Sequence, residues 1–227
     1  MNSLFNEYGR KARLFPALLC SLPFLLLFHF VVGPYVDPSL TSKLFVLITG
    51  GVSFAVVLTY LLSQINRTVS KLLFEDKSKF PTTQMLLPSS NELSSNFRQK
   101  IEEKVIADFK ISLPNEADEQ ADLGVAKTRI KEVVSLMINK VGSGTLLLQH
   151  NIEYGFVRNL IGGSVIAATV SIASCILFGF IIKNHTALTL AAFLTVGYFI
   201  PIIFSRIILK SYSEEYARIL FREYVGS

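Results

Sequence analysis

The densest run of chemically competent side chains is residues 149–159, where His150, Glu153 and Tyr154 can each carry or accept a proton and Arg158 adds a fixed positive charge. On a helix, residues three and four apart share a face, so His150, Glu153 and Tyr154 would lie close together. No nucleophile with an adjacent base, no paired metal ligands and no glycine-rich phosphate loop accompany them. The same run fits an interfacial segment in which Tyr154 sits at headgroup level and Glu153 and Arg158 pair with neighbours. We read His150, Glu153, Tyr154 and Arg158 as candidates for ligand sensing or coupling. We expect a non-enzyme, with no catalytic residue, cofactor or metal.

The elements that must position this run are mostly apolar. Residues 14–36, 44–62, 160–182 and 187–209 each approach the ~20 apolar residues that carry a helix across a ~30 Å hydrocarbon layer. Only a structure that satisfies its own backbone survives there, and a helix does so. With 51% hydrophobic and 17% charged residues, the chain is too apolar for an ordinary soluble domain of this size. The first stretch is longer than the 7–15-residue core of a signal peptide and lacks a small-x-small site before Asp37, so we expect it to be retained.

Basic residues assign the sides. Arg10, Lys11 and Arg13 precede the first stretch, thirteen Lys and Arg lie in residues 63–159, and Arg206, Lys210, Arg218 and Arg222 close the chain. Only Lys43 and Lys183 occupy the two hairpin turns. A twenty-to-two imbalance places the N- and C-termini and the central block in the cytoplasm. The fold expected is an all-α membrane protein: four transmembrane helices as two hairpins, with a small α-rich cytoplasmic domain between them. Its divisions fall at residues 1–62, 63–159, 160–209 and an amphipathic tail, 210–227. The thirteen basic residues of the central block face twelve acidic ones, so no basic surface for nucleic acid exists. The net charge of +5 instead suits anionic lipid.

Within the central block, Pro81 and Pro88 bracket residues 82–87, which we expect as a short strand or extended arm. Ser94 or Ser95 then caps a helix whose apolar positions are Phe97, Ile101, Val105, Ile106 and Phe109. Asn115 caps a second helix that carries Val125, Ile130, Val133, Val134, Met137, Ile138 and Val141 on one face and stops at Gly142-Ser143-Gly144.

Small residues recur every four positions at Gly51, Ala55 and Thr59 in the second stretch and at Gly163, Ala167 and Ser171 in the third. Such spacing lets membrane helices approach closely, within the chain or toward a second copy. Pro16, Pro23, Pro34 and Pro201 interrupt the first and fourth stretches and should kink them. His29 is the one ionisable side chain deep in a stretch, a candidate functional group by that fact alone, although an imidazole can also simply bond a neighbouring helix. Cys20 and Cys175 read as small space-fillers.

The run Gln149-His150-Asn151-Ile152-Glu153-Tyr154-Gly155-Phe156-Val157-Arg158-Asn159, continued by Leu160-Ile161-Gly162-Gly163-Ser164, resembles a segment of uncharacterised bacterial four-helix membrane proteins. The resemblance implies a multi-pass protein of the bacterial inner membrane and no particular activity. The expected function is a membrane protein whose cytoplasmic part senses something and whose bundle responds, as an oligomeric membrane-perturbing effector such as a defence protein. The alternative is a scaffold or accessory subunit that recruits a cytoplasmic protein. Expected partners are the lipid bilayer, a second copy of the chain, and a cytoplasmic protein or small-molecule ligand.

Overall fold

A computed structural model describes residues 6–35, 54–74, 80–142 and 145–227. Among them every regular element is a helix. The chain divides into an apolar unit, Met1–Glu75 with Ile152–Leu209, and a hydrophilic unit, Asp76–Asn151 with Lys210–Ser227. Residues 63–75 and 152–159, which average hydropathy assigns to the central block, thus group with the apolar helices. The tail groups with the central block. Helices Thr145–Ile176 and Ser205–Gly226 each have residues in both units.

Among the described residues three helices are long and apolar enough to cross a membrane: Glu7–Tyr35, Leu146–Ile181 and His185–Ile203. The first ten residues of the expected second span, 44–53, lie outside the described residues, and with them Gly51. The rest of that span opens helix Phe54–Phe74, which runs three turns past Leu62. The side chain of Ala55 also lies outside the described set.

The prolines of the first helix explain its irregularity. A proline ring collides with the carbonyl four residues back and offers that carbonyl no N–H. Ahead of Pro16 and Pro34 the helix widens by one residue, over Arg10–Leu14 and Phe28–Val32, where the N–H groups of Phe15 and Gly33 reach back five positions to the carbonyls of Arg10 and Phe28. Ahead of Pro23 it tightens into a turn at Ser21, whose hydroxyl donates to the Leu18 carbonyl at 2.7 Å. The second hairpin turns in three residues: Lys183 adopts φ 56°, the Asn184 N–H returns to Phe178 at 3.0 Å, and the Asn184 side chain caps Ala187 at 3.0 Å.

The hydrophilic unit is built on Met85, Leu86, Ile101, Val105, Ile130, Val133 and Met137, joined by Ala217, Leu220, Phe221 and Tyr224 of the tail. Residues 82–87 are not a strand. Pro81 starts a single helical turn, Pro81–Gln84, because its fixed φ and missing N–H suit a first helical position, and Met85, Leu86 and Leu87 then bury consecutively as the chain turns. Helix Ser95–Phe109 starts with Ser94 as its cap, as its spacing predicts. Ile106, one step around from Val105, is exposed.

The single helix expected after Asn115 is two. Asn115 and Asp118 form a capping box over the six-residue helix Glu116–Ala121. Asp122 then leaves the helical region and its carboxylate accepts from Gly124 N–H at 2.8 Å and Val125 N–H at 3.0 Å, starting Leu123–Val141 afresh. Val125, in that first turn, is therefore exposed while Ala126, Ile130, Val133, Val134 and Met137 form the buried face. Replacing Asp122 with Ala should destabilise the chain by about 1 kcal/mol, the usual worth of an N-cap. Thermal unfolding of the detergent-purified protein, followed by circular dichroism, measures it, and an unchanged transition would show that the two helices do not need this cap.

Candidate functional site

Two of the prolines create the most specific contacts in the apolar unit. Pro16 has no N–H for the carbonyl of Ala12, and the Asn159 side-chain amide donates to that carbonyl at 2.6 Å. Pro23 has none for the carbonyl of Leu19, and the Tyr198 hydroxyl donates to it at 2.6 Å. Each helix break is thus closed by a side chain from a different helix. Where no water competes, such bonds hold helices in register as well as together.

Between these two clasps the helices approach closely. Tyr8 and Ala12 meet Gly155, and Cys20 meets Gly163, so the first helix and the one bearing the glycines run parallel. A Cβ on Gly162 would lie 2.7 Å from the Ser70 Cβ, and one on Gly163 would lie 2.5 Å from the Cys20 sulfur. No side chain fits at either position.

The helix seated on these glycines presents a polar face. Thr59, Ser63, Asn66 and Ser70 recur at helical spacing and are all buried. Ser63 returns its hydroxyl to the Tyr60 carbonyl at 2.7 Å. The Asn66 amide N–H is directed at the Cys20 sulfur, while among the described residues the side-chain oxygens of Asn66, Ser70 and Asn159 are buried without a hydrogen-bond partner. A buried polar group left unpaired costs roughly 1–3 kcal/mol, so this face is an expensive way to fill space. The burial of Asn66 also removes the sequon Asn66-Arg67-Thr68 from any modifying enzyme.

In the hydrophilic unit charge gathers where the tail docks. Asp108 pairs with Lys140 and accepts from the Tyr224 hydroxyl at 3.0 Å. Lys104 lies 5.6 Å over the Tyr224 ring, and Phe109 stacks against that ring at 6.2 Å. The hydrogen bond from Lys140 holds the Asp108 carboxyl below its ordinary range, while burial, reinforced by Asp108, raises the Tyr224 phenol above its own.

The four candidate residues of the 149–159 run all lie on helix Thr145–Ile176. His150 belongs to the hydrophilic unit, where it is buried, stacks on Tyr212 at 5.8 Å and lies 3.1 Å from the Tyr212 carbonyl. A carbonyl only accepts, so Nε2 carries the proton. Glu153, Tyr154 and Arg158 belong to the apolar unit. Glu153 is exposed, and Arg158 lies 5.6 Å over the Tyr154 ring. His29 is exposed, with its ring edge-on to Phe30 at 4.8 Å. Of the packing residues, Gly163, Ala167 and Ser171 are buried, Ser171 returning its hydroxyl to the Ala167 carbonyl at 2.8 Å. Asn66, Ser70, Asn159 and Tyr198 do not stand out in the sequence. The first two continue the small-residue spacing of Gly51, Ala55 and Thr59, and that continuation is the one local signal they offer.

Among the described residues no three His, Cys, Asp or Glu converge as metal ligands. Comparison with protein-family models, with curated proteins and with solved structures finds no match.

Two outcomes follow from this geometry. Replacing Tyr198 with Phe should cost about 1 kcal/mol in the native background and close to nothing in a Pro23→Ala background, where the substituted residue supplies the Leu19 carbonyl with an N–H. A double-mutant cycle on unfolding reads the coupling, and equal penalties in both backgrounds would disprove the clasp. Stability of the hydrophilic unit should also depend on pH at two ends. A lowered Asp108 pKa contributes stability above the ordinary carboxylate value of about 4, lost as pH falls through the lowered value. A raised Tyr224 pKa contributes stability below the ordinary phenol value of about 10, lost as pH rises through the raised value. Asp108→Asn should flatten the acid limb of an unfolding-against-pH profile, and a profile unchanged by the substitution would count against the assignment.

Proposed function

We propose that this is a non-enzymatic integral membrane protein, with four spans and cytoplasmic termini, whose hydrophilic unit binds a ligand or partner and whose apolar unit responds by perturbing the membrane. A fourth span is supported by helix Phe54–Phe74, which seats Asn66 against Cys20 and Gly163, two residues of helices long and apolar enough to cross a bilayer. The sides are supported by the Lys and Arg imbalance. Residence in a bacterial inner membrane and assembly as a homo-oligomer are part of the same proposal.

The observation that carries the response is the continuity of helices Thr145–Ile176 and Ser205–Gly226, each of which has residues in both units. A ligand shifts a conformational equilibrium only by binding one state better than another, and an uninterrupted helix can bias both units at once. A defence effector is one protein of this kind.

The alternative is a scaffold that recruits a cytoplasmic protein. Exposed apolar residues in the hydrophilic unit, Ile106, Leu123 and Val125, favour it. Overproduction in bacterial cells, followed with a potential-sensitive dye, separates the two. The effector should depolarise the cells and purify as a homo-oligomer. An unchanged potential with fully inserted protein, and a stoichiometric soluble partner on affinity capture, would replace it with the scaffold.

A further inference from the structure

We propose that the buried polar face of helix Phe54–Phe74, with the facing residues of helix Thr145–Ile176, lines a water-filled path for small inorganic ions, closed in the packed arrangement. The proposal rests on the membrane-perturbing function above and names where that perturbation would occur. Ser63, Asn66 and Ser70 lie on one face and are at most 1% exposed. The face meets Gly162 and Gly163, and Asn159 lies one turn before Gly163 on the same helix.

Most buried hydroxyls here are satisfied locally. Those of Ser63, Ser164, Ser171 and Ser174 return to carbonyls of their own helices. The side-chain oxygens of Asn66, Ser70 and Asn159 are different, because among the described residues they have no hydrogen-bond partner. Apolar side chains would fill the same volume without that penalty. Unpaired amide and hydroxyl oxygens are what a lining needs when water enters, since they then hydrate it.

Depth places this lining near one end of the first apolar stretch. Asn66 lies beside Cys20, six residues into that stretch and so about 9 Å from its start. Ser70 and Asn159 gather with it around Gly162 and Gly163. None of these residues carries a charge, so the lining favours neither sign strongly. The glycines supply the closure, because the polar face rests on them with no side chain between, and separating the helices there opens it along its length.

Cys20, buried against Gly163 and beside Asn66, reports on the path. The full-length Cys175→Ser protein is reconstituted in vesicles of neutral and anionic phospholipid and treated with a positively charged, membrane-impermeant methanethiosulfonate, which needs water to reach a thiolate. Cys20 should be modified at a measurable rate, and Asn66→Leu or Ser70→Ala should slow it at least about tenfold by favouring the closed packing. Ser70→Ala removes a single atom and decides the matter if the leucine variant fails to accumulate. An inert Cys20, or a rate unchanged by the substitutions, overturns the path. Depolarised cells with an inert Cys20 would leave the membrane-perturbing function standing and remove this lining, whereas a modified Cys20 with an unchanged cell potential would do the reverse.

Discussion

Inside a hydrocarbon layer a backbone carbonyl without a donor has no water to turn to, and this constraint organises the apolar unit. The first helix carries three prolines, each of which withholds a donor from the carbonyl four residues earlier. Two of those carbonyls, Ala12 and Leu19, are taken by Asn159 and Tyr198, side chains of two other helices. Apolar packing alone discriminates poorly between helix registers in lipid, where the solvent is as oily as the side chains. The clasps supply discrimination, because sliding either helix by one residue would separate donor from acceptor.

The hydrophilic unit follows a different rule. Its centre is a conventional apolar core, with buried Met, Leu, Ile and Val drawn from several short helices and closed by the tail. At its edge Asp108, Lys140 and Tyr224 meet, and Arg98 and Glu223 also reach into it to bond backbone groups of residues 87–90 and Leu147. The contrast between the units is one of solvent: removing water drives the packing of one, and retaining every backbone bond governs the other.

Elements are legible in the sequence wherever their ends are written in side chains. Ser94, Asn115 and Asn184 are each followed by a helix they cap, and Gly142 at φ 66° ends another. Asp122 is not legible, because an acidic residue after Glu116, Asp118 and Glu119 looks like the continuation of a helix start rather than a second one. Residues 63–75 mislead for a related reason. Arg67 and Lys71 lower the average hydropathy of the segment while its polar face, Ser63, Asn66 and Ser70, turns inward, and an average over a window contains no direction. The partners of Pro16 and Pro23 depend on which helices become neighbours, information that local spacing does not hold.

The tail's place in the hydrophilic core has a consequence for biosynthesis. Ala217, Leu220, Phe221 and Tyr224 emerge from the ribosome after the described apolar helices have been translated. Until then residues 80–142 lack part of the interior they share with the tail. The described apolar helices are therefore complete in the growing chain before the hydrophilic unit can close.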